Sequence, residues 1–402
     1  MPLGLYISVP FCRTKCTYCN FASDVFSKAV FQAYVDRLCR DLEQAPATAQ
    51  AMGGHFERNV DTIYLGGGTP TVLDISQLQQ IFTAISHNFQ VVADAEITVE
   101  CAPGTLTPAV IDALQGFGVN RISVGAQSFF DKEVASVGRL HKQDTILQDI
   151  SRLRAAGIGD INIDLIAGLP HQTVQSWEFS LEQTIATKVP HVSVYMLEVD
   201  EDSRLGRELI AGGTKYHAHF VPDEDLTADL YLTGCEQLEK AGVQQYEISN
   251  FARSGHESRH NLKYWTRQPY LGFGVDAHSM LNIGRGSSNS AGSPHRVLAV
   301  RFSTPDSLQG YLGGTQTSRT SVDEHAALEE TFFLGLRLTR GVDRKRVSDE
   351  FGEQAVAGIR TVIAEMVEVG LMEQRGNMVR LTARGRLLSN EVFERFISAP
   401  VA

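Results

Sequence analysis

The sequence lacks an apolar run long enough to cross a bilayer, which needs about 20 consecutive apolar residues. It also lacks a basic excess, since 36 Lys and Arg stand against 47 Asp and Glu, a formal net charge of −11. Such a charge disfavours a general role in binding polyanions. The first residues carry neither a basic segment nor an apolar core of the signal-peptide type. These absences predict a cytoplasmic protein without a transmembrane segment, and they leave peripheral membrane contact open.

Cysteine is scarce, with six residues in a chain of 402. Half of the cysteines are scattered, which is expected of reduced thiols in a cytosol rather than of a disulfide framework. The scattered residues are Cys39, Cys101 and Cys235.

The other three cysteines are Cys12, Cys16 and Cys19, and they follow an apolar run, predicted to be a strand, that Pro10 ends. Thiolates so close on one loop can converge on an iron–sulfur cluster, and a cubane normally takes four of them. Only three are present because residue 21 is Phe. The pattern therefore predicts a cluster with one iron open to a substrate or cofactor.

Three other interpretations of these cysteines stay open. Structural zinc takes four ligands, usually as two pairs, and the sequence has no second Cys or His pair at that spacing. Disulfide pairing conflicts with an odd number of cysteines in one loop. The spacing also matches one helix face, although Pro10 and the preceding strand disfavour a helix.

Six apolar segments alternate with segments of helical period. Such alternation is typical of a parallel β/α protein, which closes as a partial TIM-like barrel or lies open as a doubly wound sheet. The pattern alone does not separate these two architectures. The predicted strands are residues 3–9, 60–65, 97–100, 121–127, 160–166 and 191–197.

Polar or glycine-rich residues stand where the predicted strands end. Because active sites of parallel α/β folds lie at the carboxyl ends of the strands, we expect these residues to meet at one mouth. Each polar residue taken alone is as compatible with a structural hydrogen bond as with a ligand contact. The residues are Cys12–Cys19, Gly66–Thr69, Glu100, Gln127 and Asp164.

A second cluster of functional residue types follows an amphipathic helix predicted at 224–241. His260 is close in sequence to two large aromatic residues, Tyr264 and Trp265, in a segment predicted to be a loop. An imidazole can ligate haem iron, and aromatic rings can cover a porphyrin face. Two alternatives stay open: a packed loop in which a hydrogen bond satisfies His260, and a haem ligand elsewhere, such as His278.

The pattern of predicted secondary structure changes from about residue 324. Three helical segments precede a hairpin that turns at Gly376-Asn377, and a last helix follows. This order predicts a winged-helix-like domain, for which we favour a role as a lid or in docking a partner. The domain is only mildly basic, which gives little support to DNA binding. We also expect a surface loop at 286–295 and a linker at 313–321.

The segment Cys12-x-x-x-Cys16-x-x-Cys19, with Tyr18 inside it, resembles the signature of the radical S-adenosylmethionine (SAM) superfamily. The resemblance implies a [4Fe–4S] cluster whose open iron chelates SAM, and a partial (β/α)6 barrel. It also implies reductive cleavage of SAM to a 5′-deoxyadenosyl radical, with an electron donor such as flavodoxin or ferredoxin.

Further positions are similar to SAM contacts of the anaerobic coproporphyrinogen-III oxidase-like family. The glycine run resembles the motif that contacts the amino group of SAM. The matching residues are Tyr6, Gly67, Gly68, Thr69, Glu100, Gln127, Arg139 and Asp164.

The segment His260-Asn-x-x-Tyr264-Trp265 resembles the signature of the HemW haem-chaperone branch of that family. The resemblance implies that His260 takes part in haem binding and that haem passes to an acceptor protein, which the sequence does not identify. Phe21 stands where the oxidase has a fourth cysteine, and the oxidase's N-terminal extension is missing. Both differences disfavour coproporphyrinogen oxidase activity.

These observations favour a haem chaperone that carries a [4Fe–4S] cluster and SAM. The alternatives are a radical SAM enzyme acting on a porphyrinogen, namely an oxygen-independent coproporphyrinogen III oxidase, or a related methyltransferase. A nucleic-acid-modifying protein is disfavoured by the acidic charge. We expect three units: a radical SAM barrel at 1–215, a segment at 216–320 that completes it and carries the haem motif, and a winged-helix-like domain at 321–402.

Overall fold

The computed structural model describes residues 1–284, 296–314 and 317–397. The surface loop expected at 286–295 lies outside these residues. Within the described ranges, none of the helices combines the length and the apolar character that a bilayer crossing requires.

The first half of the chain alternates strands and helices as predicted. Two short 3-10 turns, Lys28–Val30 and Pro70–Val72, supplement the helices. The elements are β1 (Leu3–Val9), α1 (Phe31–Glu43), α2 (Ala45–Met52), β2 (Asn59–Gly67), α3 (Ile75–Asn88), β3 (Gln90–Cys101), α4 (Pro108–Gly116), β4 (Arg121–Gln127), α5 (Asp131–Ser136), α6 (Gln143–Ala155), β5 (Asp160–Ala167), α7 (Val174–Thr187) and β6 (His191–Met196).

Strands β1 to β6 pair in parallel and in sequence order. A doubly wound sheet would reverse its strand order at a switch point, and these six strands show no reversal. The predicted partial (β/α)6 barrel is therefore confirmed, and the carboxyl ends of its strands share one edge.

Burial explains why these segments form strands and helices. Every residue of β1 is buried except Tyr6, as a strand covered on both faces requires. In α1 the buried residues include Tyr34, Leu38 and Leu42, which recur at helical spacing and face the sheet. The apolar residues of α1 therefore form one buried face.

The middle of the chain extends the sheet at both ends. Strand β9 pairs in parallel with β1, and three antiparallel strands continue beyond it, while β8 and β7 continue from β6. A 3-10 turn spans Ala218–Phe220. The elements are α8 (Arg204–Ala211), α9 (Glu224–Lys240), β7 (Gln244–Gln245), β8 (Asn250–Ala252), α10 (Arg259–Trp265), β9 (Tyr270–Gly274), β10 (His278–Asn282), β11 (Val297–Ser303), α11 (Leu308–Gly313) and β12 (Ser318–Asp323).

Two expectations for this region are wrong. The segment around His260 is the helix α10 rather than a loop, because Ser258 caps its first turn by accepting the Asn261 N–H. The expected linker at 313–321 includes most of β12, which pairs with β11 through backbone hydrogen bonds. This strand also spans the expected domain boundary at 320/321.

The C-terminal part has its own apolar core, and it has the predicted order of helices and hairpin. Phe332 stacks on Phe396 with ring centroids 5.0 Å apart, and Ile248 from the preceding region joins the same core. The fold is α+β and winged-helix-like, as predicted. Its elements are α12 (Glu324–Gly335), β13 (Val342–Asp343), α13 (Arg344–Phe351), α14 (Ala357–Glu368), β14 (Met372–Arg375), β15 (Met378–Leu381), α15 (Ala383–Leu387) and α16 (Ser389–Ile397).

Candidate functional site

A cavity of about 640 Å³ opens at the carboxyl ends of the barrel strands. We call it the barrel cavity. All the site residues predicted from the sequence line it except Tyr6 and His260. The predicted residues on its wall are Cys12, Cys16, Tyr18, Cys19, Gly67, Gly68, Thr69, Glu100, Gln127, Arg139 and Asp164.

The cysteines lie on a loop of residues 11–24, the cysteine loop, which a bridge between Phe11 and Asp24 closes at its base. The Cys12 N–H donates to the Asp24 carbonyl at 3.0 Å. Burial raises the pKa of the Cys12 and Cys19 thiols. Binding to metal would supply the charge compensation that these half-buried thiolates need.

Two of the alternatives for the three cysteines, a disulfide and a zinc site, find no support among the described residues. All six thiols are free, so the disulfide interpretation finds no support. Among the described residues, no set of three or more metal-binding side chains converges on a single ion. Thiolates around a cubane bind different irons and therefore stand farther apart than the ligands of one zinc ion.

The glycine run joins β2 to the cysteine loop. Gly67 has a φ of 95°, which favours glycine, and the Gly68 N–H donates to the Val9 carbonyl at 2.7 Å. A Cβ on Gly68 would lie 2.6 Å from the Phe11 carbonyl oxygen and 3.0 Å from Cys12 Sγ. The resemblance implies a contact between the glycine run and SAM, whereas the tightest contact of Gly68 within the chain is with the cysteine loop.

Thr69 completes this connection. Its N–H donates to the Phe11 carbonyl at 2.8 Å, and its hydroxyl lies 3.9 Å from Cys12 Sγ. Hydrogen bonds to a thiolate favour its charged form. Thr69 therefore supports a ligand of the expected cluster while it lines the cavity.

Glu100 places a half-buried carboxyl group near the end of β3. The Tyr64 hydroxyl donates to Glu100 Oε1 at 2.7 Å. Burial raises the pKa of Glu100 to about 7, and Asp164 adds to the effect. A cationic ligand group beside it would favour the carboxylate form.

Asp164 stands in a polar network that the sequence did not predict. Its two carboxylate oxygens accept hydrogen bonds from Ser123 at 2.9 Å and Asn162 at 2.7 Å. Burial still raises its pKa. Asn162 also bonds His191 at 2.6 Å, and Ser193 bonds Asn250 at 2.8 Å. The signal was present, since polar residues alternate along β5 and β6 and so share the inward face.

Two further residues leave buried polar atoms without a protein partner. Gln127 Oε1 and Arg139 Nε are buried and unpaired among the described residues. Gln127 also has a φ of 62°, a left-handed conformation that costs free energy outside glycine. Arg139 lies beside Tyr18 and Cys16. Unsatisfied groups in a roomy cavity fit a polar ligand such as SAM, which has carboxylate, amino and hydroxyl groups.

His260 is absent from the cavity wall because it is packed inside the barrel, with an exposed fraction of 1%. Its Nδ1 lies 2.9 Å from the Thr62 hydroxyl and its Nε2 lies 2.8 Å from the Tyr264 hydroxyl. Burial lowers its pKa to about 3. Haem ligation by His260 stays a prediction, and it requires that one of these hydrogen bonds be broken.

The rest of α10 is equally fixed. Glu96 accepts the N–H groups of Arg259 and His260, each at 2.9 Å, at the start of the helix. The Trp265 ring packs under the Arg337 guanidinium, 4.4 Å from the ring centroid. The alternative left open by the sequence, a packed segment with a satisfied histidine, describes this conformation.

A second hollow of about 280 Å³, the tyrosine cleft, lies on the other side of the cysteine loop. Tyr6 lies here instead of in the barrel cavity. Phe21 lines both hollows. The sequence did not predict this cleft, because its residues come from four distant segments. They are Tyr6, Ser8, Pro10, Phe21, Ala22, Ser23, Gly67, Gly68, Tyr264, Tyr270, Asp276 and His278.

Comparison with solved structures supports the fold. The structure of coproporphyrinogen III oxidase (HemN) from Escherichia coli superposes with a TM-score of 0.81 at 24% identity, covering 99% of this chain and 90% of the oxidase. At this identity the match shows a shared architecture and does not extend to activity.

Comparison of the sequence shows the family. The Radical SAM superfamily model matches residues 6–183, and the HemN C-terminal domain model matches residues 322–388. The heme chaperone HemW of Bacillus subtilis is 34% identical over 98% of both chains, and that of Escherichia coli is 31% identical over 99% of this chain and 98% of the relative. Radical SAM membership implies a [4Fe–4S] cluster and SAM, and the chain belongs to the HemW family of that superfamily.

Proposed function

We propose that this protein is a haem chaperone, which binds haem and transfers it to an acceptor protein. The observation that carries the proposal is the full-length match to proteins named heme chaperone HemW. The match extends through the barrel, α10 and the C-terminal domain. Haem itself, its acceptor and a cytoplasmic location are parts of this proposal.

The cluster belongs to the same proposal. Cys12, Cys16 and Cys19 would hold three irons and leave the fourth for SAM, because these three cysteines lie together on the cysteine loop. Cys101 also lines the cavity, but it lies at the end of β3 and outside this loop. When bound, the cluster supplies an electron to SAM, and an external donor such as flavodoxin or ferredoxin would provide it. The chain's own residues hold SAM, exclude water and support the thiolates.

SAM would lie across the ends of the strands. Glu100 is assigned to its amino group, because a half-buried carboxylate favours a cationic partner. Arg139 is assigned to its carboxylate, and Gln127 to a polar group that pairs the free Oε1. The glycine run and Thr69 keep the cysteine loop close enough for these groups to act on one ligand.

Tyr18 and Asp164 complete the assignment around Arg139. Burial raises the pKa of the Tyr18 phenol, so this ring stays neutral and lines the cavity wall. Asp164 already accepts hydrogen bonds from Ser123 and Asn162. We therefore assign it to holding these side chains in place on the cavity wall beside SAM. Tyr6 is assigned to the neighbouring cleft.

Catalysis of coproporphyrinogen decarboxylation is not part of the proposal. The oxidase match supports the fold alone, and Phe21 occupies the position expected for an additional cysteine. We expect no vinyl product from coproporphyrinogen III in the presence of SAM and a reductant.

The test reconstitutes the cluster without oxygen, adds hemin, and then adds apomyoglobin as a model acceptor. We expect hemin to bind the reconstituted protein and to appear afterwards in myoglobin, while 5′-deoxyadenosine is measured in parallel. Failure to bind hemin, or bound hemin that never reaches apomyoglobin or another apo-haem protein, would contradict the chaperone function. Vinyl products would instead support the oxidase alternative.

A further inference from the structure

Tyr64 lies between the barrel cavity and helix α10. Its hydroxyl donates to Glu100 Oε1 at 2.7 Å. Its ring stacks on the His260 imidazole, with ring centroids 5.3 Å apart and an interplanar angle of 29°. One side chain therefore contacts both the carboxyl group assigned to the amino group of SAM and the histidine of α10.

The pair formed by Tyr64 and Glu100 is packed tightly over Gly66. A Cβ at Gly66 would lie 2.9 Å from Tyr64 Cε1 and 3.0 Å from the carboxyl carbon of Glu100. The two side chains thus fill the space that a side chain at residue 66 would need. Because close-packed groups transmit displacement to their neighbours, a change at the Glu100 carboxyl group also acts on the Tyr64 ring.

At the other end, aromatic rings enclose the imidazole of His260. The Tyr64 ring covers one face, and Tyr264 packs edge-to-face with centroids 5.2 Å apart. The hydroxyl groups of Thr62 and Tyr264 occupy the two ring nitrogens. An iron atom can bind a ring nitrogen only after the imidazole turns, and Tyr64 must then make room for it.

Strands β2 and β3 each hold both regions. Side chains at even spacing along a strand share a face. On β2, Thr62 contacts His260, and Tyr64 follows two residues later. On β3, Glu96 accepts the His260 N–H at 2.9 Å, and Glu100 follows four residues later. The strands fix the spacing between the cavity and α10, so a movement of Tyr64 changes both environments.

A ligand at Glu100 would change how firmly Tyr64 is held. A bound amino group keeps the Glu100 carboxyl group charged, and a hydroxyl donates a stronger hydrogen bond to a carboxylate than to a neutral acid. Tyr64 then stays against His260, and α10 keeps its packed conformation. A ligand that favours the packed conformation opposes any ligand that needs the imidazole to turn.

We propose that Tyr64 couples SAM binding at Glu100 to the conformation of α10, so that SAM and haem oppose each other's binding. This inference rests on the proposed chaperone function, with His260 as the predicted haem ligand, and it adds a link between the two ligand sites. Loading with SAM would favour the release of haem to an acceptor.

The first test needs no haem. Hydrogen exchange of the backbone amides of α10 is followed by mass spectrometry in the full-length protein with its cluster reconstituted, without reductant, with and without saturating SAM. We expect SAM to slow this exchange by at least about fivefold in the wild type. Tyr64→Phe keeps the ring and removes the hydroxyl that binds Glu100, so SAM should leave its exchange unchanged. SAM that binds the wild type without slowing exchange in α10 would overturn the proposal.

The second test measures both ligands. Hemin is titrated into the reconstituted protein with and without saturating SAM, and the Soret band reports binding. We expect SAM to weaken hemin binding by at least about fivefold, and hemin to weaken SAM binding by the same factor, because coupling is reciprocal. In Tyr64→Phe both factors should approach one while hemin still binds. Equal factors in the wild type and in Tyr64→Phe would contradict the role of the hydroxyl.

Two further variants separate this link from general damage to the cavity. Tyr195→Phe removes another phenol hydroxyl from the cavity wall and should keep the wild-type coupling factor. Glu100→Gln keeps an acceptor for Tyr64 but carries no charge, so it should lose the coupling as Tyr64→Phe does. Loss of coupling in Tyr195→Phe as well would count against a specific role of Tyr64.

The outcomes distinguish this link from the function on which it rests. If the wild type binds no hemin, the chaperone function fails, and with it the opposition between SAM and haem, while the exchange experiment still reports on the link from Glu100 to α10. If hemin binds with the same affinity with and without SAM, the link fails and the chaperone function stands. If no SAM binds, the SAM assignment and the link fail together.

Discussion

The mouth of the barrel and helix α10 lie on the same two strands but present opposite environments. At the mouth, Tyr64 and Glu100 face an open cavity. Closer to the starts of these strands, Thr62 and Glu96 bind α10 and bury His260. The mouth keeps polar groups available for a ligand, whereas in α10 both ring nitrogens of His260 are already hydrogen-bonded. The difference shows that a functional residue type in a motif does not by itself create an accessible site.

The pKa values of the titrating groups in the two regions are also shifted in opposite directions. Burial raises the pKa of Glu100 to about 7 and lowers the pKa of His260 to about 3. In both cases the neutral form is favoured, because charge is costly away from water. A ligand can repay that cost at the open mouth, while at α10 the helix would first have to move.

The largest effect should follow from removing the cysteine thiols. Replacing Cys12, Cys16 and Cys19 with Ala removes every predicted ligand of the cluster, so iron and sulfide content after anaerobic reconstitution should fall to background. The cysteine loop is closed by backbone hydrogen bonds at Phe11 and Asp24, so the melting temperature of the cluster-free protein should change little. Full iron content in the triple variant would contradict the assignment.

The second largest effect is expected at Gly68, and it tests whether the site depends on the close packing of the glycine run against the cysteine loop. In Gly68→Ala the new Cβ would lie 2.6 Å from the Phe11 carbonyl oxygen, so the cysteine loop must shift. We expect a loss of about 1–3 kcal/mol in the free energy of unfolding, together with weaker SAM binding and lower cluster content.

Gly116→Ala is the matched control, because nothing lies within 4 Å of a Cβ at this position. A helix residue changed from Gly to Ala should be neutral or stabilising by about 0.5–1 kcal/mol. Equal changes in unfolding free energy, SAM binding and cluster content in the two variants would mean that the close contact between Gly68 and the cysteine loop does not matter for the site.

The mouth was largely predictable from the sequence for a topological reason. Residues at the ends of consecutive parallel strands must share an edge, so Glu100, Gln127 and Asp164 were expected together before any distance was known. The network around Asp164 was less visible, because Asn162 and Ser193 precede the strand ends and no motif marks them.

The environment of α10 was not predictable, because its partners come from distant strands. Neither Thr62 nor Glu96 carries a local signal that it binds His260. The strands β9 to β12 were missed as well, since the strand preference of such short segments depends strongly on what they pack against. The tyrosine cleft follows from these strands, and so it could be found only in three dimensions.

The buried, neutral state of His260 predicts that the protein loses stability in acid. Between the folded pKa of about 3 and the usual value of 6.5, the unfolded chain binds a proton that the native protein excludes. Stability should therefore fall as the pH falls through this window, by up to about 1.4 kcal/mol per pH unit from this residue. Urea unfolding at a series of pH values should show a shallower slope for His260→Asn.

Tyr264→Phe serves as the control for this measurement. It removes one hydrogen bond but keeps the burial that is the main cause of the shift. Its pH dependence should resemble that of the wild type. A slope as shallow as that of His260→Asn would show that the hydrogen bond, rather than burial, keeps the imidazole neutral.

Glu100 should produce a smaller effect of the opposite sign. Its folded pKa of about 7 exceeds the usual 4.5, so between these values the native protein holds a proton that the unfolded chain has released. Stability should fall as the pH rises through this window, by about 3 kcal/mol at most. Glu100→Gln keeps a partner for the Tyr64 hydroxyl and should remove this decline.

The same variant tests the position of SAM. Since an amino group beside Glu100 favours the charged form of its carboxyl group, the increase in melting temperature caused by SAM should grow with pH in the wild type and stay constant in Glu100→Gln. A SAM effect that is independent of pH in both proteins would place the amino group elsewhere in the barrel cavity.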